Sequence, residues 1–166
     1  AKGSTAIDEL ALCTVAASDK TGTITEGSFA VNSYTSERAL MLAAAAEKYS
    51  SHPIAAAFAN ISSPYAVSDA EEIAGRGIKC LSGGKTVLCG NAALMEENGV
   101  PCGSFKEEAD RLASQGRTLL YTAVDGTALG VLGVADVVKP TSAEALRRLH
   151  ESGRKVVMLT GDNRAA

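Results

Sequence analysis

Two short apolar runs stand at opposite ends of this chain, and each leads straight into a loop carrying hydroxyls, a glycine and a carboxylate. Residues 13–18 precede Asp19-Lys20-Thr21-Gly22-Thr23, and residues 156–159 precede Thr160-Gly161-Asp162-Asn163. Continuous apolar runs of this length suit strands buried in a parallel sheet. Open α/β sheets bind ligands at the carboxyl ends of such strands. If the two strands are parallel neighbours, both loops open on one crevice. The sequence between them reads as antiparallel strands and helices. The simplest architecture is therefore one α/β unit with a large insertion.

The insertion can be followed element by element. Residues 28–34 alternate Phe29 and Val31 with polar neighbours and read as a strand. Residues 36–49 are rich in Ala and Leu, without Gly or Pro, and read as a helix. Pro53 suits the first turn of a second helix over residues 54–61. Residues 78–81 and 86–89 flank Ser82-Gly83-Gly84-Lys85, a hairpin signature. Residues 91–97 read as a helix. Ser104-x-x-Glu107 is a capping box for a helix running to Gln115, with Gly116 as its stop. Residues 119–124 and 128–134 are strands joined at Asp125-Gly126. Thr141-x-x-Glu144 is a second capping box, opening a helix that ends near Gly153.

Composition removes several classes. A net charge of -3 leaves no basic footprint, and aromatic residues at 4% with no Trp offer few stacking platforms, so no nucleic-acid partner is expected. The longest apolar run, residues 39–46, falls far short of the roughly 20 residues of a membrane helix. Cys13, Cys80, Cys89 and Cys102 include no C-x-x-C pair and read as free thiols in a reducing compartment.

Asp19 is suited by type and place to be a nucleophile that forms an aspartyl-phosphate. Gly22 lets backbone approach an anion, and Thr21 and Thr23 offer hydroxyls. Many related phosphatases would carry a second Asp as general acid two positions after the nucleophile, where this chain has Thr21. A Thr hydroxyl cannot protonate a leaving group or activate water at neutral pH. A phosphoenzyme that persists is the consequence. Read alone, the Asp19 loop is a polar turn and Asp162 is a helix N-cap.

Asp-Lys-Thr-Gly-Thr at 19–23, His52-Pro53, Gly75-Arg76-Gly77, Gly90-Asn91 and Thr160-Gly161-Asp162-Asn163 occur in this order. Together they resemble the heavy-metal-transporting P-type ATPases over essentially the whole chain. The resemblance implies a partial phosphorylation domain, Rossmann-like and of haloacid dehalogenase type, at residues 1–27 and 136–166. An α+β nucleotide-binding domain, an antiparallel sheet with flanking helices, would be inserted at residues 28–135. It implies Asp19 as the residue phosphorylated by ATP, with Lys20, Thr21, Thr160, Gly161 and Asp162 around the phosphoryl group. Asp19 and Thr21, the latter through its backbone carbonyl, would hold Mg2+. Asp136 with Lys139-Pro140 resembles the hinge returning the chain from the nucleotide domain. Ser18 departs from the Phe that the family usually places before the Asp.

The same resemblance assigns Glu47, His52, Gly75, Gly77 and Asn91 to an ATP pocket. Physics is compatible with each role. An imidazole at a helix start can lie against a purine, a carboxylate can accept adenine amino hydrogens, and glycines let a base approach backbone. Read alone, His52-Pro53 is a turn, Gly75-x-Gly77 occurs in many hairpins, Asn91 is an N-cap and Glu47 is a solvated helix residue. Two decoys fail. Gly83-Gly84-Lys85-Thr86 ends like a P-loop but has Lys79 in the first Gly position, and Gly75-x-Gly77 has Cys80 in the third Gly position of a dinucleotide fingerprint.

The resemblance implies a membrane-bound parent with this portion on the cytoplasmic side. Membrane helices, the actuator domain and a later Mg-binding Asp would lie elsewhere in the same polypeptide, so this portion alone is expected to be inactive. The cargo is a heavy-metal cation, and Tyr49-Ser50-Ser51-His52-Pro53-Ile54 resembles zinc/cadmium-type members slightly more than copper-type ones. Two other readings remain open at this point. One is a nucleotide-binding module without turnover, and the other is a soluble phosphatase of haloacid dehalogenase type with a cap domain.

Overall fold

The computed structural model describes residues 12–159. In chain order the strands are β1 (Val15–Asp19), β2 (Thr25–Tyr34), β3 (Ser68–Ile73), β4 (Gly77–Ser82), β5 (Lys85–Gly90), β6 (Thr118–Val124), β7 (Thr127–Val138) and β8 (Lys155–Leu159). The α-helices are α1 (Glu37–Ala46), α2 (Ala92–Glu97), α3 (Lys106–Ser114) and α4 (Ser142–Glu151). The chain divides into two compact units: Ser28–Ala135 forms one, and the described residues up to Gly27 and from Asp136 form the other.

The Ser28–Ala135 unit is built on a six-stranded sheet of order β2-β7-β6-β5-β4-β3, antiparallel at each junction from β7 to β3. Strand alternation sends neighbouring residues to opposite faces. Ile78, Cys80, Val87, Cys89, Leu120 and Leu132 meet α1 and Phe58 on one face. Leu88, Tyr121, Ala123 and Val131 meet Leu94 and Met95 of α2 and Leu112 of α3 on the other. The sheet is thus filled between two helical layers. Helix α1 presents Ala39, Ala43, Ala44 and Ala46, all fully buried, and Ser36 caps it by accepting from Ala39 N at 3.3 Å. Small residues allow a close approach: a Cβ on Gly130 of β7 would stand 3.0 Å from the Ala39 Cβ.

In the other unit, β1 and β8 form a parallel pair in which Asp19 lies opposite Leu159. Helix α4 packs against β8.

Several expectations are corrected. The end strands are not buried: Val15 is 50% exposed, Met158 43% and Leu159 56%. Among the described residues their sheet has only two strands. Neither capping box forms. Ser104 lies inside a 3-10 turn, Gly103–Phe105, so Phe105 rather than Ser104 holds the N-cap position of α3. Thr141 has helical φ/ψ and makes no side-chain cap, while the Glu144 carboxylate is taken by Arg147. The helix expected over 36–49 ends at Ala46 and tightens to a 3-10 turn at Glu47–Tyr49. The helix expected over 54–61 is a 3-10 helix, Pro53–Phe58. Strand β3 was not anticipated. It is an edge strand rich in Asp and Glu, and a bulge between Ser68 and Glu71 breaks its alternation.

Candidate functional site

Glu47, His52, Gly75, Gly77 and Asn91, scattered over some forty-five residues of the insertion, line one cleft of about 170 Å³. Its walls are apolar, with Ile54, Ile73, Leu119 and Leu120. The polar edge is supplied by Glu47 and His52, and by Glu72 of β3, which sequence reasoning missed.

Glu47 sits one residue beyond α1 and is 4% exposed, so it is not the solvated helix residue of the bland reading. Burial pushes its carboxyl from 4.5 up to about 7, the nearby Glu72 charge adds to the rise, and hydrogen bonds with Cys89 and Ser50 oppose it. The Cys89 thiol donates to Glu47 Oε1 at 3.7 Å. Burial first, and then the Glu47 charge, hold that thiol well above its ordinary 9.0.

His52 is the N-cap of the Pro53–Phe58 turn, and its Nδ1 accepts from Ile54 N at 3.2 Å. That bond leaves Nε2–H as the ring's remaining polar group. Asn91 spends its amide on the fold: Oδ1 accepts from Leu94 N at 3.0 Å and Nδ2 donates to Gly75 O at 2.9 Å. It therefore ties the Gly75 turn to the start of α2. Gly77 has a different physical reason from the one expected. A Cβ there would stand 2.2 Å from Cys89 O, so the glycine permits close approach of β4 and β5. Gly75 alone has open space where a side chain would be. Arg76, the one Lys or Arg in the lining, is paired with Glu97 at 2.8 Å.

The second candidate region is the loop after β1. Asp19 ends the strand and is exposed, Thr21 is extended, and Gly22 has φ +76. A polar brace holds this loop. Thr25, 4% exposed, donates to Asp136 Oδ2 at 2.5 Å and accepts from Gly22 N at 3.3 Å. Lys139 Nζ donates to Gly22 O at 2.5 Å, and Ser142 Oγ donates to Ile24 O at 2.7 Å. The Asp136 Oδ1 atom is buried without a hydrogen-bond partner. Parallel pairing places the carboxyl ends of β1 and β8 side by side. Thr160, Gly161 and Asp162 lie outside the described residues. Among the described residues no group of three or more His, Cys, Asp or Glu could hold a metal ion.

An exposed carboxylate at the end of a parallel strand, backed by a braced loop, defines a class. The chain belongs to the haloacid dehalogenase-like hydrolase family, whose model matches residues 13–166. Its relatives within that class are heavy-metal P-type ATPases. It is 36% identical over 156 residues to the copper-transporting P-type ATPase of Rhizobium leguminosarum bv. viciae, covering 87% of this chain and 18% of that protein. It is 38% identical over 173 residues to the zinc-transporting ATPase of Synechocystis sp., covering 98% of this chain and 23% of that protein. Among solved structures, a zinc-transporting PIB-type ATPase in an E2.Pi state matches with a TM-score of 0.83 at 30% identity, covering 99% of this chain and 28% of that one. The chain thus spans about a fifth of the length of the curated relatives it matches.

Proposed function

We propose that this chain is the ATP-binding and phosphoryl-accepting portion of a heavy-metal-exporting P-type ATPase. The observation that carries the reading is the convergence of Glu47, His52, Gly75, Gly77 and Asn91 on one apolar cleft. The cleft fits a flat heteroaromatic ring. Ile54 and Leu120 offer apolar contact, Glu47 can accept an exocyclic amino hydrogen, and Nε2–H of His52 can meet a ring nitrogen or lie against the base. No lysine lines it, which suits adenosine better than phosphate.

On this reading a carboxylate oxygen of Asp19 bonds to the terminal phosphorus of ATP as the bond to the bridging oxygen breaks and ADP leaves. Water later releases phosphate from the aspartyl-phosphate. Lys20 and Thr21 flank the acceptor, and Thr160, Gly161 and Asp162 join it by family resemblance. The Asp19 carboxylate and the Thr21 carbonyl are hard oxygen donors of the kind Mg2+ takes. When bound, the ion would neutralise charge on the transferring group. Thr21, in place of a general acid, leaves the acyl-phosphate slow to hydrolyse.

The membrane and actuator domains would belong to the same polypeptide, with this portion on the cytoplasmic side of a cell membrane. No helix among the described residues is long and apolar enough to cross a membrane. The relatives' names include copper, silver and zinc, and the cargo metal would bind outside this portion. A soluble phosphatase is disfavoured by those relatives and by Thr21.

The test is a titration with a nonhydrolysable ATP analogue followed by amide NMR. Shifts centred on residues 47, 52, 75, 77 and 91 are expected, and shifts that avoid all five would overturn the reading. Phosphate release with Mg-ATP from the native chain and from Asp19→Asn is expected to be negligible in both. Clear turnover that vanishes in Asp19→Asn would show that this portion already holds a complete active site.

A further inference from the structure

The segment Ser50-Ser51-His52 lies between two 3-10 turns and has no ladder or helix to hold it. What fixes it comes from β3. Glu72 Oε1 accepts from Ser50 Oγ at 3.0 Å and from Ser51 N at 3.0 Å, and Oε2 accepts from Ser51 Oγ at 2.8 Å. Both carboxylate oxygens are engaged, by two consecutive residues. A carboxylate only accepts, so both Ser51 hydrogens point at Glu72, and the one Ser50 hydroxyl hydrogen is shared between Glu72 and Glu47. Ser50 Oγ then keeps a lone pair for the next residue, and His52 N donates to it at 3.1 Å. The ring of His52 is fixed in turn by Ile54 N donating to Nδ1. The hydrogen bonds from Glu72 thus reach the His52 backbone through Ser50, and the Ile54 N–H fixes the ring that this backbone carries. Glu72 is itself set in register by β4, opposite Ile78. Hydrogen bonds from the Ser51 hydroxyl, the Ser50 hydroxyl and the Ser51 amide hold its carboxyl below the ordinary range, in keeping with an acceptor that stays charged.

We propose that Glu72 is a positioning residue for nucleotide binding: it clamps Ser50 and Ser51 so that His52 faces the cleft with Nε2–H available. The proposal rests on the reading of this cleft as a nucleotide site. Glu72 need not touch the ligand, because its effect passes through His52.

The test uses the full chain, a nonhydrolysable ATP analogue as probe, and the nitrogen shifts of the His52 ring recorded without nucleotide. Glu72→Ala should weaken the analogue about threefold with little change in melting temperature, and should move the ring from one tautomer to a mixture. Glu72→Gln keeps a carbonyl acceptor and should recover part of the affinity. In a His52→Ala background, Glu72→Ala should add no further loss. Unchanged affinity in Glu72→Ala, an equal loss with and without His52, or an unaltered ring signature would each overturn the positioning role. If Glu47→Ala and His52→Ala both leave affinity intact, the nucleotide reading fails and this proposal with it. The ring signature then reports separately whether Glu72 still fixes His52.

Discussion

Every buried hydrophobic side chain among the described residues, from Ala39 to Val134, lies in the unit that contains the cleft. Among its described residues the unit that contains Asp19 buries only Thr25 and Ser142, and it relies on directed hydrogen bonds from Thr25 to Asp136, from Lys139 to Gly22 O and from Ser142 to Ile24 O. Burial of apolar area stabilises without specifying direction, whereas hydrogen bonds specify direction and add about 1 kcal/mol each. The cleft is therefore a shape held by a packed core. The Asp19 loop is a geometry held by a few polar contacts. Changes in the first region should be read mainly in stability, and changes in the second mainly in chemistry.

The largest effect expected from this contrast is at Gly77. Gly77→Ala sets a Cβ against Cys89 O at a φ of +141 and should destabilise the sheet by about 3 kcal/mol or more, read as a fall in melting temperature. A loss under about 1 kcal/mol would break the claim that close β4–β5 approach underlies the cleft.

Glu47 tests the same core through pH. Burial makes the folded state hold the carboxyl proton more tightly than the unfolded chain. The stabilisation is thus complete below about pH 4.5 and lost as pH rises through about 7. Relative to Glu47→Gln, the native chain should lose about 3 kcal/mol between those limits, measured by denaturant unfolding at each pH. Parallel pH profiles for the two proteins would show that Glu47 is not buried as a neutral acid.

Thr25→Val removes the brace of the Asp19 loop. A loss of about 1–2 kcal/mol is expected, localised by hydrogen exchange to residues 15–27 and 136–151, with analogue affinity unchanged. An affinity loss comparable to that of a cleft mutation would merge the two regions that the comparison separates. His52→Gln, which Glu72 is proposed to orient, should weaken the analogue by about 1 kcal/mol and leave melting unchanged. A large fall in melting temperature would make His52 a structural residue. Arg147→Ala should change stability by less than about 0.5 kcal/mol, since its pairs with Glu144 and Glu151 are exposed on α4.

Legibility in the sequence follows the same division. The hairpins at Gly83-Gly84 and Asp125-Gly126 announce themselves because positive φ is written in the residue types. The two-faced sheet is written in alternation. Strand β3 is not, because an edge strand with charged residues and a bulge loses that alternation. The capping boxes do not form, and their absence is not legible because a four-residue S/T-x-x-E pattern does not say whether a 3-10 turn precedes the helix or whether an arginine takes the glutamate. Of the cleft residues, Glu47, His52, Gly75, Gly77 and Asn91 were singled out by motif, whereas Glu72 carries no local signal. Its partners lie about twenty residues earlier in the chain, and only the pairing of β3 onto the sheet brings them within reach.

The strands that lead into and out of the Ser28–Ala135 unit are neighbours in its sheet. Near its start β2 meets the end of β7 through Thr25 and Asp136, with Lys139 N donating to Ile24 O at 3.0 Å. Such an arrangement makes the insertion a removable cassette. Excising it would leave two chain ends that are already hydrogen-bonded to each other, and a linker of a few residues could close them at little entropic cost. A lineage could replace the whole insertion without redrawing the strand that carries Asp19.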